Sequence, residues 1–249
     1  MRRRLGGAAS SVGGFAPGAS ALPHRAAERE RRSGSKLRLL AVSVAAVLSA
    51  GCGAGGGGTA QVWITQDRGQ HVVSVHTVPA GLTAMQALDR VADVKTRYGG
   101  RFVQAIGGAE GSLSGRRDWF YFVNGIEADR SAAEVRLRAG DVEWWDLRSW
   151  ANGQMSVPVV VGAWPKPVGG NVLVVAGDPG ARKAARALAR SLHAHGGRGR
   201  HRVLVFSRPL VFHGARNASG KVVFTISTAD AMRLARNPKL ARFRYEGLP

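Results

Sequence analysis

The sequence predicts an α+β protein in two parts, and two patterns support this class. Between residues 61 and 150, aromatic and alternating segments typical of strands surround one segment with the apolar spacing of a helix. Beyond residue 154, short apolar strands alternate with helical segments, which is the pattern of a small α/β unit. Charge separates the same two parts, because residues 60–150 carry 11 basic and 11 acidic residues whereas residues 151–249 carry 16 and 3.

The first part has the element order of a small sheet wrapped around one helix. Two strand segments come first, at residues 62–65 and 71–78, with a turn at residues 67–69. Thr83 is placed to cap a helix that runs to about Val94. Three further strand segments follow, at residues 102–106, 119–123 and 142–147. We therefore predict a ubiquitin-like β-grasp domain over residues 61–150.

Four segments of this part resemble the successive motifs of a known family. They are residues 78–88, 102–108, 118–125 and 137–145. In order and spacing they are similar to the transcobalamin-like C-terminal domain of bacterial surface proteins. The resemblance implies a β-grasp fold and suggests a corrinoid such as cobalamin as ligand. The cobalamin carriers enclose their ligand between this small domain and a large helical domain, which this sequence does not show.

The aromatic strand at residues 119–123 is the candidate ligand surface. Alternation places Trp119 and Tyr121 on one face, and Asn124 begins the turn that follows. Trp144 and Trp145 point to opposite sides of the last strand, so we expect at least one of them to face solvent or ligand. These five residues suit a flat, partly apolar ligand. The alternative is that the rings pack beneath a loop or against the second part of the chain.

The second part is predicted to be a basic α/β domain over residues 154–249. Its strand segments are residues 157–161, 172–176, 203–206 and 222–226. Asp178 and Pro179 signal the start of a helix that runs to about His195, and a second helix covers residues 228–236. One side of the first helix carries four basic residues: Arg182, Lys183, Arg186 and Arg190. They predict an anionic partner surface, and the alternative is that the charge only solvates the helix.

Cys52, the only cysteine of the chain, follows a short apolar stretch. Lys36 and Arg38 precede apolar residues 39–48, which are too few to cross a bilayer. The pattern is typical of a bacterial lipoprotein signal peptide, although Ser49 stands where a Leu is usual. We expect residues 1–51 to be removed, Cys52 to be acylated, and residues 52–60 to tether the protein at the extracytoplasmic face of the cell membrane. The alternative is an ordinary secretory signal, or a short membrane anchor, with an incidental cysteine.

The sequence shows no recognisable catalytic set. It has no Gly-x-Ser-x-Gly nucleophile elbow, and its histidines and carboxylates lack the spacing of a metal site or a paired-carboxylate site. We expect a binding protein without enzymatic activity, without a metal and without a nucleic-acid partner. The first hypothesis is a ligand-binding lipoprotein that serves a membrane importer. The second is an envelope scaffold that binds a transporter subunit, an anionic wall polymer or lipid headgroups.

Overall fold

The structure is a computed structural model, which describes residues 57–194 and 201–249. In its first half, residues 57–149, these described residues form eight strands and one helix. The elements in order are β1 (Thr59–Gln66), β2 (His71–Pro79), α1 (Ala84–Asp89), β3 (Val94–Arg97), β4 (Phe102–Ile106), β5 (Ala109–Glu110), β6 (Arg117–Val123), β7 (Ile126–Glu127) and β8 (Val142–Ser149).

Five of these strands form a mixed sheet. Their order is β2-β1-β8-β6-β7, in which β1 and β8 are parallel and the other neighbours are antiparallel. Helix α1 covers one face, where Ala84 and Leu88 pack with Trp145 and Leu147 in a common core. Strands β3, β4 and β5 form a separate antiparallel sheet. Strands thus outweigh helices, which confirms the predicted α+β class.

The second half contributes a four-stranded sheet and two helices. Its elements are β9 (Val172–Ala176), α2 (Arg182–Ser191), β10 (His201–Phe206), β11 (His213–Arg216), β12 (Val222–Ser227) and α3 (Thr228–Arg236). The sheet has the order β11-β12-β10-β9, with β9, β10 and β12 parallel. Short 3-10 helices lie at Lys166–Val168, Pro179–Ala181 and Pro238–Ala241.

Local chemistry explains where several elements begin and turn. Thr83 and Gln86 form a capping box at the start of α1, since each side chain accepts a hydrogen bond from the other residue's backbone N–H. Asn124 and Gly125 have φ angles of 53° and 78°, and two positive values are what a type I′ turn between β6 and β7 requires. Asp178 accepts a hydrogen bond from the backbone N–H of Ala181 and caps the 3-10 turn that leads into α2.

Three predicted elements end early or do not form as predicted. Helix α1 ends at Asp89 instead of near Val94, because Val94 is drawn into pairing with Ile106 of β4. Helix α2 ends at Ser191, before His195. Residues 157–161 were predicted as a strand but pair only at one bridge, between Val159 and Ile126. Pro158 has no N–H, which prevents a continuous ladder there.

Several predictions fall outside the described residues or beyond what they test. Cys52, the leader at residues 1–51 and residues 52–56 of the tether are outside the described ranges. The domain boundaries at residues 61–150 and 154–249 remain predictions. Within residues 57–194 and 201–249, no helix is long and apolar enough to span a membrane.

The two halves of the chain share a buried core on the face of the five-stranded sheet opposite α1. Trp144 of β8 is completely buried there, between Phe122 of β6 and Tyr245 near the C-terminus. A Cβ atom on Gly162 would lie 2.4 Å from the Trp144 ring, so only glycine allows this close approach. The face of the sheet that carries Phe122 and Trp144 is therefore covered by the second half of the chain.

Asp146 connects this core to the neighbouring segments through four hydrogen bonds. One carboxylate oxygen accepts hydrogen bonds from the Thr65 hydroxyl at 2.5 Å and the Gly69 N–H at 3.0 Å. The other accepts from the Arg68 N–H and the Tyr245 hydroxyl, both at 3.0 Å. Since Asp146 has no exposed surface, these four donors replace the water that a buried carboxylate requires.

We predict that Asp146→Ala lowers the free energy of unfolding by roughly 3 kcal/mol or more, because it leaves buried donors without an acceptor. The measurement is urea denaturation followed by tryptophan fluorescence. Asp89→Ala is the matched control, since Asp89 is exposed and makes no side-chain hydrogen bond in the described residues. Equal stability of the two variants would contradict this role for Asp146.

Candidate functional site

An open cleft of about 340 Å³ on the α1 side of the five-stranded sheet brings together three of the predicted ligand residues. We call it the aromatic cleft and define it by its four aromatic residues and two arginines: Arg101, Phe102, Trp119, Tyr121, Arg130 and Trp145. Strands β4, β6 and β8 supply the four rings, and residues 128–132 close the other side. The sheet register places Tyr121 directly opposite Trp145, which explains how residues distant in sequence meet.

Three of the four rings of the aromatic cleft are held in place by hydrogen bonds of their own polar atoms. Tyr121 and Trp145 stack with centroids 4.7 Å apart and planes 17° from parallel. The Tyr121 hydroxyl donates to the carbonyl of Arg130, and the Trp119 ring N–H donates to the carbonyl of Ala109 at 2.9 Å. Because these donors are used internally, a ligand would meet apolar ring surface rather than free N–H groups.

Access to the aromatic cleft is uneven. Trp119 and Trp145 are only 6% and 3% exposed and form its floor. Phe102 is 39% exposed, and Arg101 and Arg130 are exposed at the rim. A ligand would therefore touch Phe102, the half-buried Tyr121 and the two guanidinium groups first.

Behind the floor lies a buried carboxyl group, Glu143. Its Oε1 accepts a hydrogen bond from the Trp145 ring N–H at 2.5 Å, and its Oε2 has no hydrogen-bond partner among the described residues. Burial raises the pKa of Glu143 to about 8, with the Trp145 hydrogen bond opposing the shift. Burial, followed by the charge of Glu143, also raises the pKa of Tyr121 above its ordinary value, so its hydroxyl remains a donor.

Two predicted ligand residues lie elsewhere. Trp144 has no exposed surface and donates its ring N–H to the Thr65 hydroxyl at 2.7 Å, so the structure does not bring it to the aromatic cleft. Trp145 is only 3% exposed but lines the aromatic cleft, so of the two it is the one that faces the proposed ligand space. Asn124 bonds to Asp141 and to the Val142 N–H, and it holds the β6–β7 turn.

Three residues of the aromatic cleft were missed by the sequence analysis. Phe102 and Arg101 follow Gly99 and Gly100, and an aromatic residue beside a Gly-Gly turn was the available signal. Arg130 offered no comparable signal. Its place depends on the irregular segment after β7, which the Tyr121 hydroxyl anchors.

Helix α2 presents the four predicted basic residues on one exposed side. Arg182, Lys183, Arg186 and Arg190 are exposed and form no ion pair within the described part of the chain. The opposite side of α2 buries Ala184, Ala185 and Leu188 in the core of the second half. We call the four exposed residues the α2 basic face.

No group of three or more His, Cys, Asp or Glu residues that could hold a metal ion occurs within residues 57–194 and 201–249.

Comparison with known proteins places a recognised segment inside the first half. Residues 81–149 match the family model of a domain of unknown function (DUF4430). That segment contains β3 to β8 and all of the residues that define the aromatic cleft. No curated protein matches the chain.

Two solved structures show a partial likeness. One is described as a "putative metal binding protein" from Ruminococcus gnavus ATCC 29149, with 16% identity and a TM-score of 0.31, covering 37% of this chain and 97% of that chain. The other is haptocorrin in complex with Cbi, with 13% identity and a TM-score of 0.30, covering 38% of this chain and 26% of that chain. Likenesses at this level do not bear on what this chain binds.

The buried Glu143 predicts a pH dependence of stability. Its folded pKa of about 8 lies above the ordinary value of 4.5, so its contribution to stability is full below pH 4.5 and is lost as the pH rises toward 8. Glu143→Gln should remove this pH dependence, and its free energy of unfolding at pH 8 should exceed that of the wild type by on the order of 2 kcal/mol. Urea denaturation at pH 5, 7 and 8 measures the free energy of unfolding, with Glu134→Gln as an exposed control. Parallel pH profiles for wild type and Glu143→Gln would contradict the assignment.

Proposed function

We propose that the protein is an exported, lipid-anchored binding protein that holds a flat, partly apolar ligand in the aromatic cleft. The observation that carries this proposal is the Tyr121–Trp145 stack, with Trp119 and Phe102 beside it, at an open cleft flanked by Arg101 and Arg130. Apolar ring surface with a few polar groups at the rim is the usual composition of a small-molecule site. Trp119, Tyr121 and Trp145 are already fixed by internal hydrogen bonds, so they lose little entropy when a ligand binds.

The fold supports the same proposal. The order β2-β1-β8-β6-β7, with the central pair parallel and α1 on one face, supports a β-grasp assignment for residues 61–150. A corrinoid delivered to a membrane importer is the ligand suggested by the resemblance of the four sequence segments. An open cleft contacts one face or edge of such a ring, so the remaining surface of the ligand would stay free for a partner protein.

Titration with cyanocobalamin and with cobinamide tests ligand binding, because Trp119 and Trp145 line the aromatic cleft and a bound corrinoid should quench their fluorescence. Phe102→Ala should weaken binding about three- to tenfold, the range expected for loss of one aromatic contact. Leu113→Ala is the matched control, since Leu113 is 80% exposed and lies outside the aromatic cleft. Quenching no greater than that of free tryptophan, or equal affinity in both variants, would rule out a corrinoid at this site.

The lipid anchor is a separate part of the proposal and rests on the sequence around Cys52. We expect mass spectrometry of the membrane-extracted protein to give a mature N-terminus at an acylated Cys52. Cys52→Ser should move the protein out of the membrane fraction, because the basic surface alone gives weaker binding than acyl chains. Recovery of the unprocessed chain with a free thiol in the soluble fraction would contradict this part.

A second candidate function is an envelope scaffold that binds anionic wall polymer or lipid headgroups, and the α2 basic face favours it. Four exposed cations on one helix side, which form no ion pair with any residue that the structure describes, can each gain about 1 kcal/mol at an anionic surface. The aromatic strand β6 offers a scaffold less surface, because its Phe122 side packs against Val160 and Tyr245 of the second half of the chain.

Sedimentation with phosphatidylglycerol vesicles tests the scaffold. Glutamine at all four positions of the α2 basic face should reduce binding at least about tenfold, and wild-type binding should fall steeply with salt. A control variant removes the same charge with glutamine at four exposed positions elsewhere: Arg90, Arg138, Arg202 and Lys221. If both variants lose binding equally, total charge and not the α2 basic face is responsible.

A further inference from the structure

A second cleft, of about 450 Å³, lies where the β1–β2 turn meets the C-terminal segment. Arg68 lines one side of it, and Arg242, Phe243, Arg244 and Tyr245 line the other. We call it the arginine cleft. It lies outside residues 81–149, which match the known domain, and none of its residues belongs to the aromatic cleft or the α2 basic face.

The charges of the arginine cleft are not balanced by ion pairs. Arg68, Arg242 and Arg244 make no salt bridge within the described residues. Arg68 donates to the side-chain oxygen of Gln154 at 2.7 Å. Two carboxylates are nearby: Glu246, which is exposed and lines the cleft, and Asp146, whose oxygens already accept four hydrogen bonds. The lining of this cleft thus contains three arginines and one carboxylate residue, Glu246, which gives it an excess of positive charge.

Arg242 is held in an unusual setting. Its guanidinium carbon lies 4.9 Å from the Trp63 ring centroid and 4.7 Å from that of Phe243. Its Nε is buried without a hydrogen-bond partner among the described residues. Cation–π contacts position the charge, but they leave a buried donor unsatisfied, which normally costs stability.

The two walls of the arginine cleft are fixed relative to each other. A Cβ atom on Gly69 would lie 1.8 Å from the carbonyl oxygen of Phe243, so the turn and the C-terminal segment are in direct backbone contact. The Asp146 carboxylate bonds to Arg68 N–H and Gly69 N–H on one wall and to the Tyr245 hydroxyl on the other. Phe243 and Arg68 also have positive φ angles, of 62° and 60°. The spacing of the walls is therefore set before any ligand arrives.

We infer that the arginine cleft is an anion site for a phosphate group. Planar guanidinium groups on two fixed walls suit the several oxygens of a phosphate, which can accept hydrogen bonds from more than one arginine at once. The group can belong to free phosphate or to a phospholipid headgroup, and both sources have the same chemistry. This site is independent of the ligand proposed for the aromatic cleft.

Isothermal titration of the purified full chain with inorganic phosphate at low ionic strength, against chloride of equal ionic strength, tests free phosphate. Sedimentation with vesicles of phosphatidic acid in phosphatidylcholine tests the headgroup. The test variants are Arg68→Gln and Arg244→Gln, since neither side chain is buried in a core. Each should weaken binding about tenfold, the value of one hydrogen bond between charged groups. Arg90→Gln, exposed and outside both clefts, is the charge-matched control.

Phosphate binding that Arg68→Gln and Arg244→Gln weaken, while Arg90→Gln does not, supports a site for free phosphate. The same pattern with vesicles alone supports a headgroup site. Absence of binding in both measurements overturns the inference. Equal losses in all three variants also overturn it, because general surface charge would then explain the binding. Circular dichroism and thermal unfolding of each variant confirm that the fold is retained.

Discussion

The packing of the C-terminal segment against the five-stranded sheet depends on the hydrogen bonds of the buried Asp146 carboxylate. This carboxylate lies on the face of the five-stranded sheet opposite α1, and it accepts from the β1–β2 turn, from Thr65 and from Tyr245. Together with the Trp144 core, it requires the C-terminal segment to pack against the sheet. Because that face is thereby closed, ligands can reach only the α1 side, the sheet edges and the clefts where segments meet.

The three surfaces proposed as sites differ in chemistry. The aromatic cleft offers fixed rings with two arginines at its rim, the α2 basic face offers mobile charge on a helix, and the arginine cleft offers guanidinium groups on rigid walls. Fixed groups favour discrimination among ligands, whereas exposed charge favours weak, salt-sensitive attraction. This distribution fits the proposed binding protein, with one selective site and a separate basic surface for an anionic partner.

Local signals in the sequence were sufficient for most of the elements. The Thr83 cap, the Asn124–Gly125 turn and the strands around residues 119–123 and 172–176 follow from short-range chemistry, and each is found. The errors occur where distant pairing decides the outcome. Pairing with β4 takes Val94 out of the predicted helix, and Pro158 prevents the predicted strand from forming a ladder.

The sequence by itself determined which rings share a side of the sheet, because side chains alternate along a strand whatever lies above it. It therefore separated Trp119 and Tyr121 from Phe122, and Trp145 from Trp144, as observed. Only the tertiary structure decided what covers each side. Tyr245 and Val160 pack against Trp144 and bury it. On the other side of the sheet, Trp145 lines a cleft that is open between Arg101 and Arg130. These contacts join residues up to about a hundred positions apart. No local sequence pattern specifies which distant segment packs on a given face of the sheet.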